Sequence, residues 1–316
     1  MHIGYASQSP RSQYWVIVNH GVQQRAKDLG IRLTMAYAST LSQQIAAITR
    51  LLAQGIDLLM LGSVAAEGLA APLERVRAAG IPVVALATQL TDTAVTSTVR
   101  SDHMKGAALA ATHIVKQLGG AGKVAHLVGP RLLQDNIDRA ISVRSVFDRY
   151  PGINLVLEQE APDWTPESGA SFMRTVLAQH GEVRAVCAAN DTLALGVAAA
   201  IARSGRTGKI MVTGFDAIPD ALLAIHKGSM SATVNQSMQD IGRMGVTVAQ
   251  RIMAGESVPP LVLSDVALVT RDNLLEVALD AVHLLPQVLD TVVERNLGLL
   301  QAQERLDADP SATRDE

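Results

Sequence analysis

The chain has 316 residues and a mass of 33.4 kDa, which at about 150 residues per domain suggests two domains plus a remainder. Apolar residues make up 48% of the chain and charged residues 18%, a composition that excludes a disordered protein. The formal net charge of −3 excludes the basic surplus with which proteins bind nucleic acids or anionic membrane surfaces.

The chain opens on MHIGYASQ, which has neither the charged start nor the long apolar run of a secretory signal. No stretch of about 18 residues is free of charges, so no membrane span is predicted. If Met1 is the true start, these features predict a cytoplasmic protein.

The first hundred residues alternate short apolar runs with amphipathic stretches. The predicted strands are 2–6, 32–37, 58–61 and 83–87, and the predicted helices are 16–29, 41–54 and 66–79. Glycine follows each of the three helices, which is a common helix stop. This alternation predicts a parallel sheet with helices on both faces.

The alternation restarts after about residue 100. Here the predicted helices are 105–118, 136–150, 166–178, 191–204, 219–226 and 238–254. The predicted strands are 123–128, 154–160, 185–188, 210–214 and 231–234, followed by an extended return over 258–268. The predicted fold class is therefore α/β, with two doubly wound units of similar size.

The C-terminal part, 272–316, has a different pattern. Residues 273–306 are predicted to be helical, and the last ten are polar and predicted to be disordered. Two heptad rows run through the helix: Val282, Leu289 and Asn296, and Leu285, Val292 and Leu299. The rows are typical of a coiled coil, but Pro286 interrupts them. The segment is either a dimerising or linking helix, or a helix packed on its own domain.

In open α/β sheets, ligands bind beyond the carboxyl ends of the strands. Four of the nine aromatic residues follow predicted strands: Tyr14, Trp15, Trp164 and Phe215. Amides and carboxylates share these loops: Asn190, Asp191, Asp216, Asn235 and Gln236. Flat rings beside planar hydrogen-bonding groups suit a sugar, which has C–H faces and hydroxyl edges. In the alternative interpretation, Phe215 belongs to the core and Asp216 caps a helix.

The sequence predicts no cofactor and no metal site. The single cysteine, Cys187, ends an apolar strand, and the eight histidines form no ligand pair. Asp191 and Asp216 follow neighbouring strands, and paired carboxylates are typical of hydrolases. Asp191 stands at a helix start, however, where capping is the ordinary role. An enzyme is the less favoured alternative.

Four segments resemble the type I periplasmic sugar-binding proteins, in particular the ribose binders. They are CAANDTLALG at 187–196, VTGFDAIPD at 212–220, SATVNQSMQDIG at 231–242 and VRSDHMKGA at 99–107. The resemblance implies two lobes joined by a three-strand hinge, with a ligand cleft between them. It places the first lobe at 1–101 with 236–262, and the second at 102–235 with 263–271, before the C-terminal segment 272–316. It also implies a periplasmic location.

The resemblance assigns roles to individual side chains. Tyr14 and Trp15 match the ring-stacking aromatics of the first lobe, and Trp164 matches that of the second. Asn190, Asp216 and Gln236 match the polar groups that bond sugar hydroxyls. Further expected members of the site are Ser12, Arg139 and Phe215.

Two departures from the family pattern bear on the ligand. Ala87 and Thr88 stand where the ribose binders carry an Asp-Arg pair. A second-lobe arginine of the family falls on Val143, with Arg144 one step away and Arg139 one helical turn away. These departures favour a less polar ligand than ribose, such as a smaller or deoxy sugar, a polyol or a purine-like ring. A cleft without ligand, used as a scaffold, is the other interpretation.

The resemblance implies a non-enzymatic receptor whose lobes close on a small sugar-like molecule. Such a receptor is either a sensory module, coupled to a second copy or to a signalling partner through 273–306, or the periplasmic substrate-binding component of a sugar ABC transporter. The additional C-terminal segment favours the sensory module.

Overall fold

The computed structural model describes residues 1–131 and 133–281. The strands in this part are β1 (His2–Gln8), β2 (Arg32–Ala38), β3 (Leu58–Leu61), β4 (Val83–Leu86), β5 (Ser97–Ser101), β6 (Ala121–Val128), β7 (Gly152–Glu160), β8 (Ala185–Ala188), β9 (Met211–Thr213), β10 (Ala232–Asn235), β11 (Leu261–Ser264) and β12 (Ala267–Thr270). The helices are α1 (Gln13–Asp28), α2 (Leu41–Ala53), α3 (Ala70–Ala78), α4 (His103–Gln117), α5 (Gln134–Phe147), α6 (Pro166–Gln179), α7 (Asp191–Arg203), α8 (Pro219–His226), α9 (Met238–Met253) and α10 (Leu274–Ala281).

The strands form two six-stranded sheets. The first has the order β11-β5-β4-β3-β1-β2 with all neighbours parallel. The second has the order β12-β10-β9-β8-β6-β7, and only β12 is antiparallel to its neighbour. Helices α1, α2, α3 and α9 pack on the first sheet or on one another, and the other helices do so on the second. We call each sheet with its helices a lobe, and the predicted α/β class with two lobes is confirmed.

The chain passes between the lobes three times. The first passage follows β5 and leads into α4, the second follows β10 and leads into α9, and the third joins β11 to β12. Three neighbouring passages form a hinge about which the lobes can close on a ligand.

Both faces of the sheets are covered, which explains the short apolar strands. Every residue of β3, β4 and β8 is buried. Parallel strands that are covered on both faces carry continuous apolar runs instead of alternating ones, and these runs made the strands recognisable in the sequence.

The structure differs from the predicted elements at several places. Strand β5 was not predicted, because Val99 is the one strongly apolar residue in STVRS; it is nevertheless buried between β4 and β11. Helix α3 starts at Ala70 instead of residue 66, because Gly68 lies in the left-handed region with φ +92°. The predicted return over 258–268 is two strands, one in each sheet.

Helix α1 starts three residues earlier than predicted. The Ser12 hydroxyl caps it by accepting a hydrogen bond from the Trp15 backbone N–H at 3.3 Å. This cap draws Tyr14 and Trp15 into the first helical turn, where the rings have fixed directions. Both rings are therefore held by the helix and not by a loop.

Helix α10 packs on α8 of the second lobe. The heptad rows that begin at Val282, and Pro286 within them, lie outside the described residues. In the described ranges, no helix is long and apolar enough to cross a membrane.

Candidate ligand-binding cleft

The carboxyl ends of the strands of both sheets border the space between the lobes. From the second lobe come Asn190 after β8, Asp216 after β9 and Gln236 after β10. From the first lobe comes the start of α1, which follows β1. This is the edge at which parallel α/β sheets bind ligands.

On the second-lobe side of the cleft, the central residue is Asp216. Gln236 Nε2 donates to Asp216 Oδ1 at 2.5 Å, and the Asn190 side chain also hydrogen-bonds this carboxylate. Burial raises the pKa of Asp216 to about 7, against the opposing effects of the Arg139 charge and of the two amide hydrogen bonds. A buried carboxylate with amide neighbours on two sides is a ready acceptor for hydroxyl groups.

Asn190 has two contacts that orient its side-chain amide. Its Oδ1 accepts from the Leu193 backbone N–H at 3.0 Å, which makes Asn190 the N-cap of α7. Because the oxygen is used in the cap, the amide nitrogen is left to donate to Asp216.

Asp191 supports the loop that carries Asp216 and does not face the ligand space. Its Oδ1 accepts from the Thr233 hydroxyl at 2.6 Å, and its Oδ2 accepts from the Ile218 N–H at 3.0 Å. The loop needs this support, because Asp216 and Ala217 both have positive φ, 122° and 56°. Because Asp191 is fully buried, desolvation raises the pKa of its carboxyl group well above the usual value.

Arg139 lies beside the Phe215 ring at the same edge. Its guanidinium carbon is 3.9 Å from the ring centroid, and its Nη1 donates to the Ala189 carbonyl at 2.8 Å. Val143 is part of the apolar core, and the exposed Arg144 pairs with Glu158 at 3.3 Å. Of the arginines considered from the sequence, Arg139 is therefore the one that the structure places beside Asp216.

A hydrogen bond to His103 holds the orientation of the Arg139 side chain. Arg139 Nε donates to His103 Nδ1 at 3.2 Å. Burial and the nearby cations Arg139 and Arg100 lower the pKa of His103 well below its usual value, so the ring is neutral. Since Nδ1 accepts, the ring proton is on Nε2, which faces Asp135 Oδ1 at 3.4 Å.

The first-lobe aromatics meet edge to face. The Tyr14 and Trp15 ring centroids are 5.3 Å apart at 85°, and Trp15 is buried against Gly62. Burial, followed by the negative charges of Asp216 and Asp135, raises the pKa of Tyr14 well above its usual value. Tyr14 is thus close enough to these second-lobe carboxylates to be affected by them.

Trp164 lies against the backbone of Gly129, at the end of β6. A Cβ built on Gly129 would be only 2.4 Å from the Trp164 ring, so only glycine leaves room for it. The ring is half-buried and keeps an accessible surface at this edge of the second lobe.

Gln236 connects the site to the hinge. Its Oε1 accepts from the Ser101 hydroxyl at 2.7 Å, and its backbone carbonyl accepts from the Ser264 hydroxyl at 3.1 Å. Residues beside all three lobe crossings therefore meet at one residue, and the side chain of that residue also bonds Asp216.

Sequence reasoning missed Arg100, Asp135 and Asp138 in the cleft. Arg100 comes from β5, the strand that was not predicted, and pairs with the two carboxylates of α5. The sequence contained one signal for these three residues, namely their place in VRSDHMKGA and GPRLLQDNID. Each of these two segments follows a strand or contains the end of one.

Ala87 and Thr88 directly follow β4, and both residues are buried. Ala87 has φ 64°, a left-handed conformation that is unusual for alanine. The Thr88 hydroxyl donates only a long hydrogen bond, 3.4 Å, to the Ser63 carbonyl. The first lobe offers a methyl and a hydroxyl at this place instead of charges.

Comparison with known proteins gives consistent matches. The family model described as periplasmic binding protein domain matches residues 3–257. The ribose import binding protein of Bacillus subtilis is 30% identical over 270 residues, covering 85% of this chain and 87% of that protein. The xylitol-binding protein of Mycolicibacterium smegmatis is 28% identical, covering 83% and 75%. Among solved structures, a periplasmic ribose ABC transporter protein of Conexibacter woesei superposes with a TM-score of 0.82 at 26% identity, covering 87% and 94%.

Proposed function

This chain belongs to the periplasmic binding protein domain family, and on that premise we propose that it binds a monosaccharide or polyol between its lobes, without catalysis. The observation that carries the proposal is the buried Asp216, which is bonded by Gln236 and Asn190 and lies beside Arg139. These groups present acceptors and donors to hydroxyls on one edge of a small ring or chain.

The aromatic residues supply the complementary contacts. Tyr14 from the first lobe and Trp164 from the second offer flat surfaces on which the C–H faces of a sugar can stack. A ligand that contacts both lobes stabilises the closed form over the open one, so binding shifts the population toward closure.

Ala87 and Thr88 restrict the ligand further. A charged pair at this place would bond two or more hydroxyls, whereas one methyl and one hydroxyl bond fewer. We infer that the ligand has fewer hydroxyls at its first-lobe end, as in a deoxy sugar or a short polyol.

The relatives favour transport over sensing. Their names describe an import binding protein, a xylitol-binding protein and an ABC transporter protein. We therefore propose that this chain is the substrate-binding component of a sugar ABC transporter. A dimerising or signalling role for 273–306 remains a second proposal, which rests on heptad spacing.

A thermal-shift panel tests the ligand class. Pentoses, hexoses, deoxy sugars, polyols and nucleosides are each added at millimolar concentration. A ligand at 100 times its Kd contributes about 2.7 kcal/mol, which raises the Tm by a few degrees in a chain of this size. We expect a shift with at least one sugar or polyol, and none for that compound with Asp216→Ala. A panel without any shift would contradict the proposal.

Replacing Trp164 by alanine is expected to weaken binding of the compound found in the panel by more than about 1 kcal/mol, because the stacking surface is lost. Isothermal titration calorimetry measures the change. Tyr150→Ala is the matched control, since Tyr150 is an exposed aromatic in the connection from α5 to β7, before the amino end of that strand and not after a carboxyl end. Unchanged affinity in Trp164→Ala would remove this ring from the site.

A further inference from the structure

A second buried carboxylate stands at the same edge of the second lobe as Asp216. Asp135 lies in the first turn of α5, where the partial positive charge of the helix N-terminus stabilises its ionised form. Its neighbour Asn136 lies 3.0 Å from the place that a Cβ on Gly129 would occupy, beside the Trp164 ring. The start of α5 therefore borders the same space as the Trp164 ring.

The contacts of Asp135 leave one of its two oxygens for a further hydrogen bond. Arg100 Nη1 lies 2.7 Å from Oδ1, and His103 Nε2 lies 3.4 Å from the same oxygen. Among the described residues, both ion pairs of Asp135 thus use Oδ1. The carboxylate is held in place through this oxygen, and Oδ2 is left as an acceptor.

Asp138, one turn further along α5, differs from Asp135 in this respect. Its Oδ2 accepts from Arg100 Nη1 at 2.9 Å, and its Oδ1 accepts from Gln134 Nε2 at 2.8 Å. Both oxygens of Asp138 are therefore used within the protein. Because the two aspartates share Arg100, a comparison of their variants separates the free oxygen of Asp135 from the loss of a partner for Arg100.

Arg139 and Tyr14 lie near both Asp135 and Asp216. Desolvation raises the pKa of each of the two aspartates, and in each the charge of Arg139 opposes that rise. Burial, followed by the charges of Asp216 and Asp135, raises the pKa of Tyr14. The two carboxylates therefore surround one space together with a guanidinium of the second lobe and a ring of the first.

We propose that Asp135 is a specificity-determining residue that accepts a hydroxyl of the bound sugar or polyol at Oδ2. This inference rests on the proposed function and deepens it. Asp216 accepts hydroxyls at one place on the second-lobe side, and Asp135 accepts another hydroxyl at a second place. A compound that lacks this hydroxyl leaves a desolvated carboxylate oxygen without a partner, so the site selects against it.

Deoxy analogues test this assignment. The probes are D-ribose, xylitol and the compound with the largest shift in the thermal panel, each compared with its monodeoxy analogues by isothermal titration calorimetry. We call the Kd of an analogue divided by that of its hydroxylated form the deoxy ratio. In the parent, we expect one analogue with a deoxy ratio of about ten or more, because a hydrogen bond to a charged group is lost.

In Asp135→Ala, the deoxy ratio of that one analogue should fall to about one, because the protein no longer carries the acceptor. The ratios of the other analogues should keep their parental values. Arg100 retains Asp138 as a partner in this variant, so no buried charge is left unpaired. If the alanine variant folds poorly, Asp135→Asn keeps the size of the side chain, and it should lower the same ratio.

Two controls distinguish contact from positioning. Asp138→Asn removes a partner of Arg100 without removing a free oxygen, and it should leave the deoxy ratios at their parental values. Asp148→Asn removes an exposed carboxylate at the other end of α5 and should leave every affinity unchanged.

A deoxy ratio that stays at its parental value in Asp135→Ala would overturn the assignment, and so would a ratio that is lost equally in Asp138→Asn. In either case the parent would still bind a sugar or polyol, and the proposed function would stand. A thermal panel without any shift would overturn the proposed function and, with it, the inference that rests on it.

Discussion

Replacing Asp216 by alanine is expected to weaken ligand binding by about 100-fold or more. Two hydroxyl hydrogen bonds to a buried carboxylate would be lost, each worth about 1.5–3 kcal/mol. The variant also leaves the amides of Gln236 and Asn190 without the acceptor they now share. Isothermal titration calorimetry with the compound from the thermal-shift panel measures the effect.

The control for this variant is Asp240→Ala, which removes an exposed carboxylate from α9 of the first lobe. It should leave affinity unchanged. Equal affinities for Asp216→Ala and the parent would exclude Asp216 from the site and would require a different account of the cleft.

The pKa of Asp216 adds a pH dependence to this result. Burial raises that pKa to about 7, so the carboxyl takes up a proton as the pH falls through neutrality. A hydroxyl donates to the ionised form, and affinity is therefore expected to be constant above about pH 8 and to decrease below pH 7. Asp216→Asn should lack this dependence, whereas a parent with the same slope as Asp216→Asn would argue against a titrating acceptor.

Asp191→Ala is expected to lower the free energy of unfolding by about 3 kcal/mol. The substitution leaves the Ile218 N–H and the Thr233 hydroxyl buried without an acceptor, at about 1–3 kcal/mol each. Urea unfolding followed by circular dichroism measures the loss. Ligand affinity should fall as well, because the strained loop at Asp216 is no longer held.

Thr233→Val separates the Thr233 contact of Asp191 from its backbone contacts. It removes the hydroxyl, which donates to Asp191 and accepts from the Ala217 N–H at 3.3 Å, with little change in shape. It should cost clearly less than Asp191→Ala, because the contact of Asp191 with the Ile218 N–H remains. If Asp191→Ala is no less stable than Thr233→Val, the carboxylate does not support the loop in the way described here.

The sequence was sufficient for the fold because its strands are short, apolar and separated by helices that end at glycine. It was insufficient for β5, whose single strongly apolar residue, Val99, gives no pattern. That strand is buried because of its neighbours β4 and β11, and such pairing between distant segments has no local signal.

The candidate site was likewise predictable from the sequence only in part. Asp216, Asn190 and Gln236 could be selected because they directly follow strands, and the structure brings them together. Spacing alone did not decide between Arg139 and Arg144, since that depends on the face of α5 turned to the cleft. The pairing of Arg100 with α5 was not predictable at all, because it exists only once the lobes meet.

Gln236 has a consequence for anyone who wishes to redesign this receptor. Its amide bonds the carboxylate of Asp216 at one end and the Ser101 hydroxyl of the hinge at the other. A substitution there would alter selectivity and domain motion in a single step, and a biosensor built from this protein would then lose signal for reasons unrelated to recognition. Libraries aimed at new analytes are better confined to Ala87, Thr88 and Trp164, with position 236 left as it is.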